Sequence, residues 1–256
     1  MTASTRPRIA LVTGASRGLG RDTALKLAEQ GVDLILTYKS RDDEAHAVVR
    51  RIEALGRRAV ALPLDVGDSR SFPAFAQRVK DVLASTWQRE RFDHLVNNAG
   101  VGAHAPFADT TEAQFDLLVN VHLKGTFFLT QALLPLIEDG GRIVNTSSGL
   151  ARFAFPGYAA YAAMKGGVEV LTRYMAKELG ARRISVNTIA PGAIETDFGG
   201  GAVRDNPQLN AQIAGATALG RVGVPDDVGG AVAALLGEGT HWITGQRIEV
   251  SGGMML

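Results

Sequence analysis

The sequence predicts a single doubly wound α/β domain, a parallel sheet covered by helices on both faces. Three observations carry that expectation: short apolar runs without alternation recur along the chain, segments of helical period separate them, and no Pro- or Ser-rich linker divides the 256 residues. Continuous apolar runs suit strands buried on both faces, and strands that alternate with helices assemble in parallel. A chain of this length can bury a substantial core as one domain, with two small domains the lesser alternative.

Composition narrows the function classes. The 27 Lys and Arg against 26 Asp and Glu leave a formal charge of +1. That balance offers no electrostatic footprint for nucleic acid or an anionic membrane, so a small-molecule partner is expected. Without cysteine there is no disulfide framework and no thiolate nucleophile or thiolate metal site, which fits a reducing, cytoplasmic interior. No metal is expected. The apolar run after Arg6 and Arg8 stops at Thr13, too short for a signal-peptide core. No run of about twenty apolar residues is present to span a bilayer.

Residues 8–13 (RIALVT) read as the first strand, and TGASRGLG at 13–20 turns the chain into a helix that ends at Gly31. A strand, a glycine turn and a helix place unpaired N–H groups and the positive end of a dipole where a phosphate can sit. Gly14, Ser16, Arg17, Gly18, Leu19 and Gly20 are therefore candidate cofactor contacts. Their G-x-x-x-G-x-G spacing is neither the familiar G-x-G-x-x-G nor a P-loop, and a plain glycine turn is the alternative.

Residues 34–37 make a second strand, 41–55 a helix and 59–64 a third strand. Where an NAD-preferring enzyme carries an acid after the second strand, this chain has Tyr38, Lys39, Ser40 and Arg41. Together with Arg17 they suit a 2′-phosphate, so NADP(H) is expected in preference to NAD(H). A solvated charge run is the plainer possibility. Asp65 and Val66 close the third strand, where a carboxylate can accept from an adenine amino group, and Asp68 reads as a helix cap.

A helix over 69–86 carries Phe72, Phe75, Ala76, Val79 and Leu83 on one face, and 94–97 is a fourth strand ending in Asn97, Asn98, Ala99 and Gly100. Two asparagines at a strand end need partners if buried, so they either hold the adjacent strand or line the cofactor cleft. His104 stands alone, without a second ligand at metal spacing. Residues 111–137 read as one long, mostly helical stretch with a polar Asn120 among apolar neighbours, and 141–145 as a fifth strand leading to Ser147 and Ser148. Residues 184–189 form a sixth strand, followed by Pro191, Gly192, Ile194 and Thr196. Over 197–219 no apolar period persists and three glycines occur in a row, which predicts a flexible substrate lid. A helix over 226–236 and a strand over 247–250 complete the chain.

The chemistry is expected at residues 148–165. In a helix, Tyr161 and Lys165 share one face, being four residues apart. A phenol ordinarily titrates near 10, and a fixed cation beside it favours its anion, so it can exchange a proton nearer neutrality. Ser148, at the preceding strand end, can hydrogen-bond the same oxygen. A structural tyrosine with a solvated lysine is the bland alternative, and Tyr158 is a rival three residues away.

With these residues in order, the chain resembles the short-chain dehydrogenase/reductase family from the glycine turn to its end. The match rests on TGASRGLG at 13–20, Asn97-Asn98-Ala99-Gly100, Asn120, Ser148, Tyr161-x-x-x-Lys165 and Pro191-Gly192. The 13-residue spacing from Ser148 to Tyr161 favours these two over Ser147 and Tyr158. The tail, with Gly220-Arg221-Val222-Gly223, Thr244-Gly245 and Ser251-Gly252-Gly253, is similar to bacterial 3-oxoacyl-carrier-protein reductases.

The resemblance implies one Rossmann-like domain with a seven-stranded parallel sheet and hydride transfer between nicotinamide and a carbonyl or alcohol carbon. By the same resemblance Tyr161 is the acid/base, Ser148 bonds the reacting oxygen, and Lys165 lowers the phenol pKa and binds the nicotinamide ribose. Asn120 would hold Lys165 through water. Pro191, Gly192, Ile194 and Thr196 would border the nicotinamide, and the assembly would be a homotetramer. Met164 departs from the family's small residue, and Phe153, Phe155 and Phe198 are candidate pocket walls. Arg152 is a weaker candidate for meeting an acidic substrate.

Overall fold

A computed structural model describes residues 6–256. The chain alternates β1 (Ile9–Val12), α1 (Gly18–Glu29), β2 (Asp33–Tyr38), α2 (Asp42–Ala54), β3 (Ala59–Pro63), α3 (Phe72–Val82) and β4 (Phe92–Asn97). It continues through α4 (Glu112–Leu118), α5 (Gly125–Leu133), β5 (Ile137–Thr146), α6 (Ala159–Leu179) and β6 (Ser185–Pro191). The last elements are α7 (Ala202–Asp205), α8 (Pro207–Gly215), α9 (Pro225–Leu236) and β7 (Arg247–Val250). All seven strands are parallel, in the order β3-β2-β1-β4-β5-β6-β7.

Alternate strand residues feed two cores. Ala10, Val12, Leu34 and Leu36 pack with Ala24, Leu27, Val48, Ile52, Val228 and Val232 of α1, α2 and α9. Ile9, Leu11 and Ile35 point the other way, onto Phe72, Phe75, Val79, Leu129, Leu133 and Ala176 of α3, α5 and α6. The strands are apolar on both faces because both faces are covered, as the continuous runs predicted. Strand order reverses between β1 and β4, which opens a crevice at their carboxyl ends.

The expected boundaries fail in three places, each for a local reason. The helix over 69–86 is α3 flanked by a 3₁₀ turn at Ser69–Ser71 and a π turn at Leu83–Trp87, which ends at Gln88 with φ 53°. Asp68 does cap the first turn, accepting from the Arg70 N–H. The stretch over 111–137 is α4, a π-helical segment at Val119–Lys124, α5 and a 3₁₀ turn, and Ile137 already belongs to β5. Contrary to the expectation from apolar runs, Glu112–Leu136 has the length and hydropathy to cross a membrane by those criteria alone. In the fold it buries Leu118, Val121, Leu129 and Leu133, with π-segment packing against α6.

The third difference is the regular structure within the segment expected as an aperiodic lid. Residues 197–219 contain a turn at Phe198–Gly201 and the helices α7 and α8. Asn206 caps α8 through the N–H groups of Gln208 and Leu209, and Pro207 occupies its first turn. Leu209 and Ile213 pack on Val222 and Met254. Two apolar side chains one turn apart are too few to show a period in sequence.

β4 carries a buried group that the fold holds neutral. His94 is 3% exposed and neither ring nitrogen has a hydrogen-bond partner among the described residues. Burial, joined by Arg8 and Arg142 and opposed by Asp93, pulls its pKa from 6.5 to about 4. Across that window the unfolded chain binds a proton that the folded chain refuses. The stabilisation is therefore complete above 6.5 and is lost as pH falls toward 4, at about 1.4 kcal/mol per unit. We predict that the melting temperature of His94→Leu falls less between pH 7 and pH 4.5 than that of the parent; equal falls would refute this.

Candidate active site

The glycine turn closes against β4 through a set of small contacts. Gly14 has φ 65°, and a Cβ there would lie 2.9 Å from Ala99 Cα. A Cβ on Gly20 would lie 2.4 Å from the Gly14 carbonyl oxygen and 2.5 Å from Asn98 Nδ2. The chain passes too close to itself there for any side chain. Thr13 Oγ1 accepts the N–H groups of both Asn98 and Ala99 at 2.9 Å and donates to Val96 O. Asn98 Nδ2 donates to the carbonyls of Thr13 and Gly14. The two asparagines thus divide the roles expected of them: Asn98 holds the cleft, and Asn97 donates to Asn145 Oδ1 and Thr130 Oγ1, tying β4 to β5 and α5.

These contacts aim the start of α1 into the crevice. Its first turn has no acidic residue and no side-chain cap, so its N–H groups face the cleft unpaired by the chain. A phosphate fits that cradle. Ser16 is nearly buried, Leu19 packs on the core, and Arg17 pairs with Asp197 at 3.4 Å. Gly18 lies beside Thr196, whose hydroxyl accepts the Phe198 N–H.

The residues expected to meet a 2′-phosphate follow the end of β2. Lys39 pairs with Asp65 at 2.8 Å and Arg41 with Glu44 at 3.4 Å, while Ser40 is exposed between them. The Asp42 carboxylate beside Tyr38 pushes its phenol up. Against the cost of burial, the Lys39 ammonium and the Gly67 N–H hold the Asp65 carboxyl below its usual range. The carbonyl of Val66 faces Gly125 at the start of α5. Pro191 ends β6, Gly192 packs against Ser251 where a Cβ would lie 2.9 Å from Cα, and Ile194 bridges to Gly223.

Tyr161 and Lys165 are 7% and 4% exposed, on the face of α6 turned toward the end of β5. Lys165 Nζ donates to the Thr146 carbonyl at 2.7 Å and stands 5.6 Å from the Tyr161 ring centre. Ser148 accepts the Leu150 N–H at 3.2 Å, and its side chain is near enough to the phenol to act on its pKa. Burial pulls Lys165 down to about 7. Burial also pushes the Tyr161 phenol up, Ser148 opposing and Tyr158 reinforcing. The expectation that Lys165 lowers the phenol pKa is thus not met in this arrangement: its ammonium is turned to the Thr146 carbonyl and nothing from it offsets the desolvation of the phenol. Both side chains are held toward their neutral forms.

Asn120 lies in the π segment, where its carbonyl accepts the Gly125 N–H. A π segment inside a helix often marks a functional site. Two residues on, His122 was not foreseen. Its ring meets Tyr161 edge-on at 5.2 Å, and its Nε2 bonds Val101 O at 2.8 Å. Burial and then Lys165 hold its pKa down to about 3. The polar residue closest to Asn120 in an apolar stretch was the available signal. Phe198 packs on the other side of Tyr161 at 5.8 Å. Phe153 meets Phe155 and packs toward Ile213 and Met254. His104 stacks edge-on against Tyr158 at 5.0 Å, Met164 is buried beside Leu118 and Tyr161, and Arg152 is committed to Glu249 and the carbonyls of Met254 and Met255. Among the described residues no cluster of His, Asp and Glu could hold a metal.

A doubly wound sheet with a phosphate cradle at its switch point, a buried tyrosine and lysine on α6 and a half-buried serine after β5 defines a dinucleotide-dependent oxidoreductase. The profile described as Enoyl-(Acyl carrier protein) reductase matches residues 14–255. The chain is 38% identical to a 3-oxoacyl-[acyl-carrier-protein] reductase of Staphylococcus aureus, over 96% of this chain and 98% of that protein. Among solved structures, the promiscuous reductase LugOII of lugdunomycin biosynthesis superposes with a TM-score of 0.93 at 38% identity, covering 98% of this chain and 99% of that one. The landomycin C-6 ketoreductase LanV with bound NADP and rabelomycin superposes at 0.88 with 36% identity, covering 98% and 97%. The chain belongs to the short-chain dehydrogenase/reductase family and is an enzyme of that class.

Filling the cradle should cost both stability and binding. Gly20→Ala is expected to lower stability by about 1–3 kcal/mol, a few degrees or more in melting temperature, and to weaken dinucleotide binding. Gly230→Ala, whose Cβ meets nothing within 4 Å, is the control and should melt at or above the parent temperature. A cradle variant as stable as that control would contradict the close approach.

Proposed function

We propose that this enzyme is an NADP(H)-dependent carbonyl reductase, working in reverse as a secondary-alcohol dehydrogenase. The observation that carries the reading is the burial of Tyr161 on α6 with Lys165 one turn along, 5.6 Å from its ring, and Ser148 just past the end of β5. NADPH, when bound, supplies the hydride. Tyr161 donates its proton to the oxygen of the reduced carbonyl, and Ser148 hydrogen-bonds that oxygen as charge develops. Lys165 would bind the nicotinamide ribose hydroxyls. Asn120 holds Lys165 through water. Pro191, Gly192, Ile194 and Thr196 border the nicotinamide, while Asp65, Val66, Asn98, Ala99 and Gly100 line the adenosine and ribose side.

Preference for NADP(H) is supported by Arg17, Lys39 and Arg41, whose side chains are 47%, 68% and 57% exposed. Their present carboxylate partners are solvent-screened pairs worth about 1 kcal/mol or less, so a phosphate can displace them. The substrate is a ring-bearing ketone. Phe198 against Tyr161 supplies an aromatic wall, and the solved relatives include a ketoreductase with rabelomycin bound.

A homotetramer completes the reading. Phe115, Leu117, Phe127, Phe128, Val170 and Tyr174 leave apolar surface exposed on α4, α5 and α6. Helical faces of this kind are what oligomer contacts bury.

Tyr161→Phe is expected to abolish turnover while NADPH still binds; activity within a few-fold of the parent would remove the mechanism. NADPH should raise the melting temperature more than NADH, since saturation a hundredfold above Kd adds about 2.7 kcal/mol. Equal shifts would overturn the cofactor preference. Turnover against ring ketones, simple aldehydes and 3-oxoacyl thioesters decides the substrate, and activity confined to the thioesters would replace the ketone reading.

A further inference from the structure

We infer that Arg247 and Glu169, remote from the reacting atoms, are positioning residues for Ser148; the inference rests on the role proposed above for Ser148 and Tyr161. Ser148 lies two residues past the end of β5, whereas Tyr161 and Lys165 ride on α6, so the geometry of the site depends on how the chain leaving the strand is held against the helix. Glu169 is on α6, one turn beyond Lys165. Its Oε1 accepts the Ser147 hydroxyl at 2.6 Å and Arg247 Nε at 2.7 Å. Arg247 reaches over from β7, pairs also with Glu249 at 2.9 Å, and donates through Nη2 to the Ser148 backbone carbonyl at 3.3 Å.

The cluster is sheltered. Ser147 is 2% exposed, and the side chains of Glu169 and Arg247 are 14% and 22% exposed. One carboxylate oxygen therefore ties Ser147 to α6, and one guanidinium ties the Ser148 peptide to β7. With Ala151 N–H on the same carbonyl, the peptide plane of Ser148 is fixed from two directions. The Ser148 side chain is then free to serve the phenol and Leu150. Glu249 extends the cluster to Arg152, which grips the carbonyls of Met254 and Met255 and so anchors the chain end to the same frame.

A merely structural ion pair at the β7 edge would cost stability without acting through Ser148. Residues that act on one group show non-additive losses, so a double-mutant cycle separates the two roles. Steady-state NADPH oxidation with a ring ketone is measured for the parent, Arg247→Met, Ser148→Ala and the double variant, alongside NADPH Kd by fluorescence. Arg247→Met should lower kcat at least tenfold with Kd within twofold, and should lower it less than twofold in the Ser148→Ala background. Arg247→Lys, which keeps the charge opposite Glu169, should recover most of the rate. Glu169→Gln, a near-isosteric change that keeps an acceptor for Ser147, is the second probe should Arg247→Met not fold, with the same expected pattern.

A tenfold loss in both backgrounds, or kcat within twofold of the parent for both probes, would overturn the positioning role while leaving the proposed reaction intact. A parent that oxidises NADPH with no carbonyl compound would instead overturn the proposed function, and this inference with it.

Discussion

A lysine ammonium almost wholly removed from water, with one carbonyl oxygen as its hydrogen-bond partner, is the constraint around which the site is arranged. Burying a cation is expensive, and the fold answers by drawing Lys165 down to about 7 rather than by supplying a carboxylate. The neighbours conform to that choice. His122 stays neutral, pushed the same way by burial and by the lysine, and so adds no second charge. The phenol of Tyr161 is likewise kept protonated by its own burial. A site with both groups held near neutrality is poised to respond to any charge or polar group that enters it, because in a poorly solvated space each new interaction counts for more than it would in water.

The positions of these groups are fixed by elements that meet only in three dimensions. The end of β5 brings Thr146, Ser147 and Ser148 against α6, and the π segment between α4 and α5 brings Asn120 and His122 against the same helix. On the other side of the crevice, one threonine hydroxyl takes both N–H groups of the Asn98–Ala99 peptide pair, locking the glycine turn of β1 to the end of β4. The two halves of the candidate site are therefore joined through strand ends, the part of a parallel sheet where backbone groups are left without ladder partners and side chains must satisfy them.

Much of the fold was legible because the sheet is buried on both faces. Each strand reads as an apolar run, and the expected strands agree with the observed ones apart from boundaries and the earlier start of β5 at Ile137. Elements that owe their stability to tertiary packing were harder to see. The helix α8 has only Leu209 and Ile213 to bury, and its helical state depends on Asn206 capping and on Met254 arriving from the chain end. The π turns at Leu83–Trp87 and Val119–Lys124 have the composition of ordinary helix, so nothing in their residues set them apart.

The sequence by itself determined the residue types of the site and their spacing along the chain: a tyrosine and a lysine one helical turn apart, a serine at a strand end, a glycine turn before a helix. These are local properties, set by helical periodicity and by the shortness of the connections. Which way the phenol and the ammonium would titrate was decided only by the tertiary structure. Their pKa values follow desolvation, and desolvation depends on how completely β5, α6, the π segment and Phe198 close around them. The contacts of His122, Glu169 and Arg247 were likewise settled only in three dimensions, because their partners are distant in sequence.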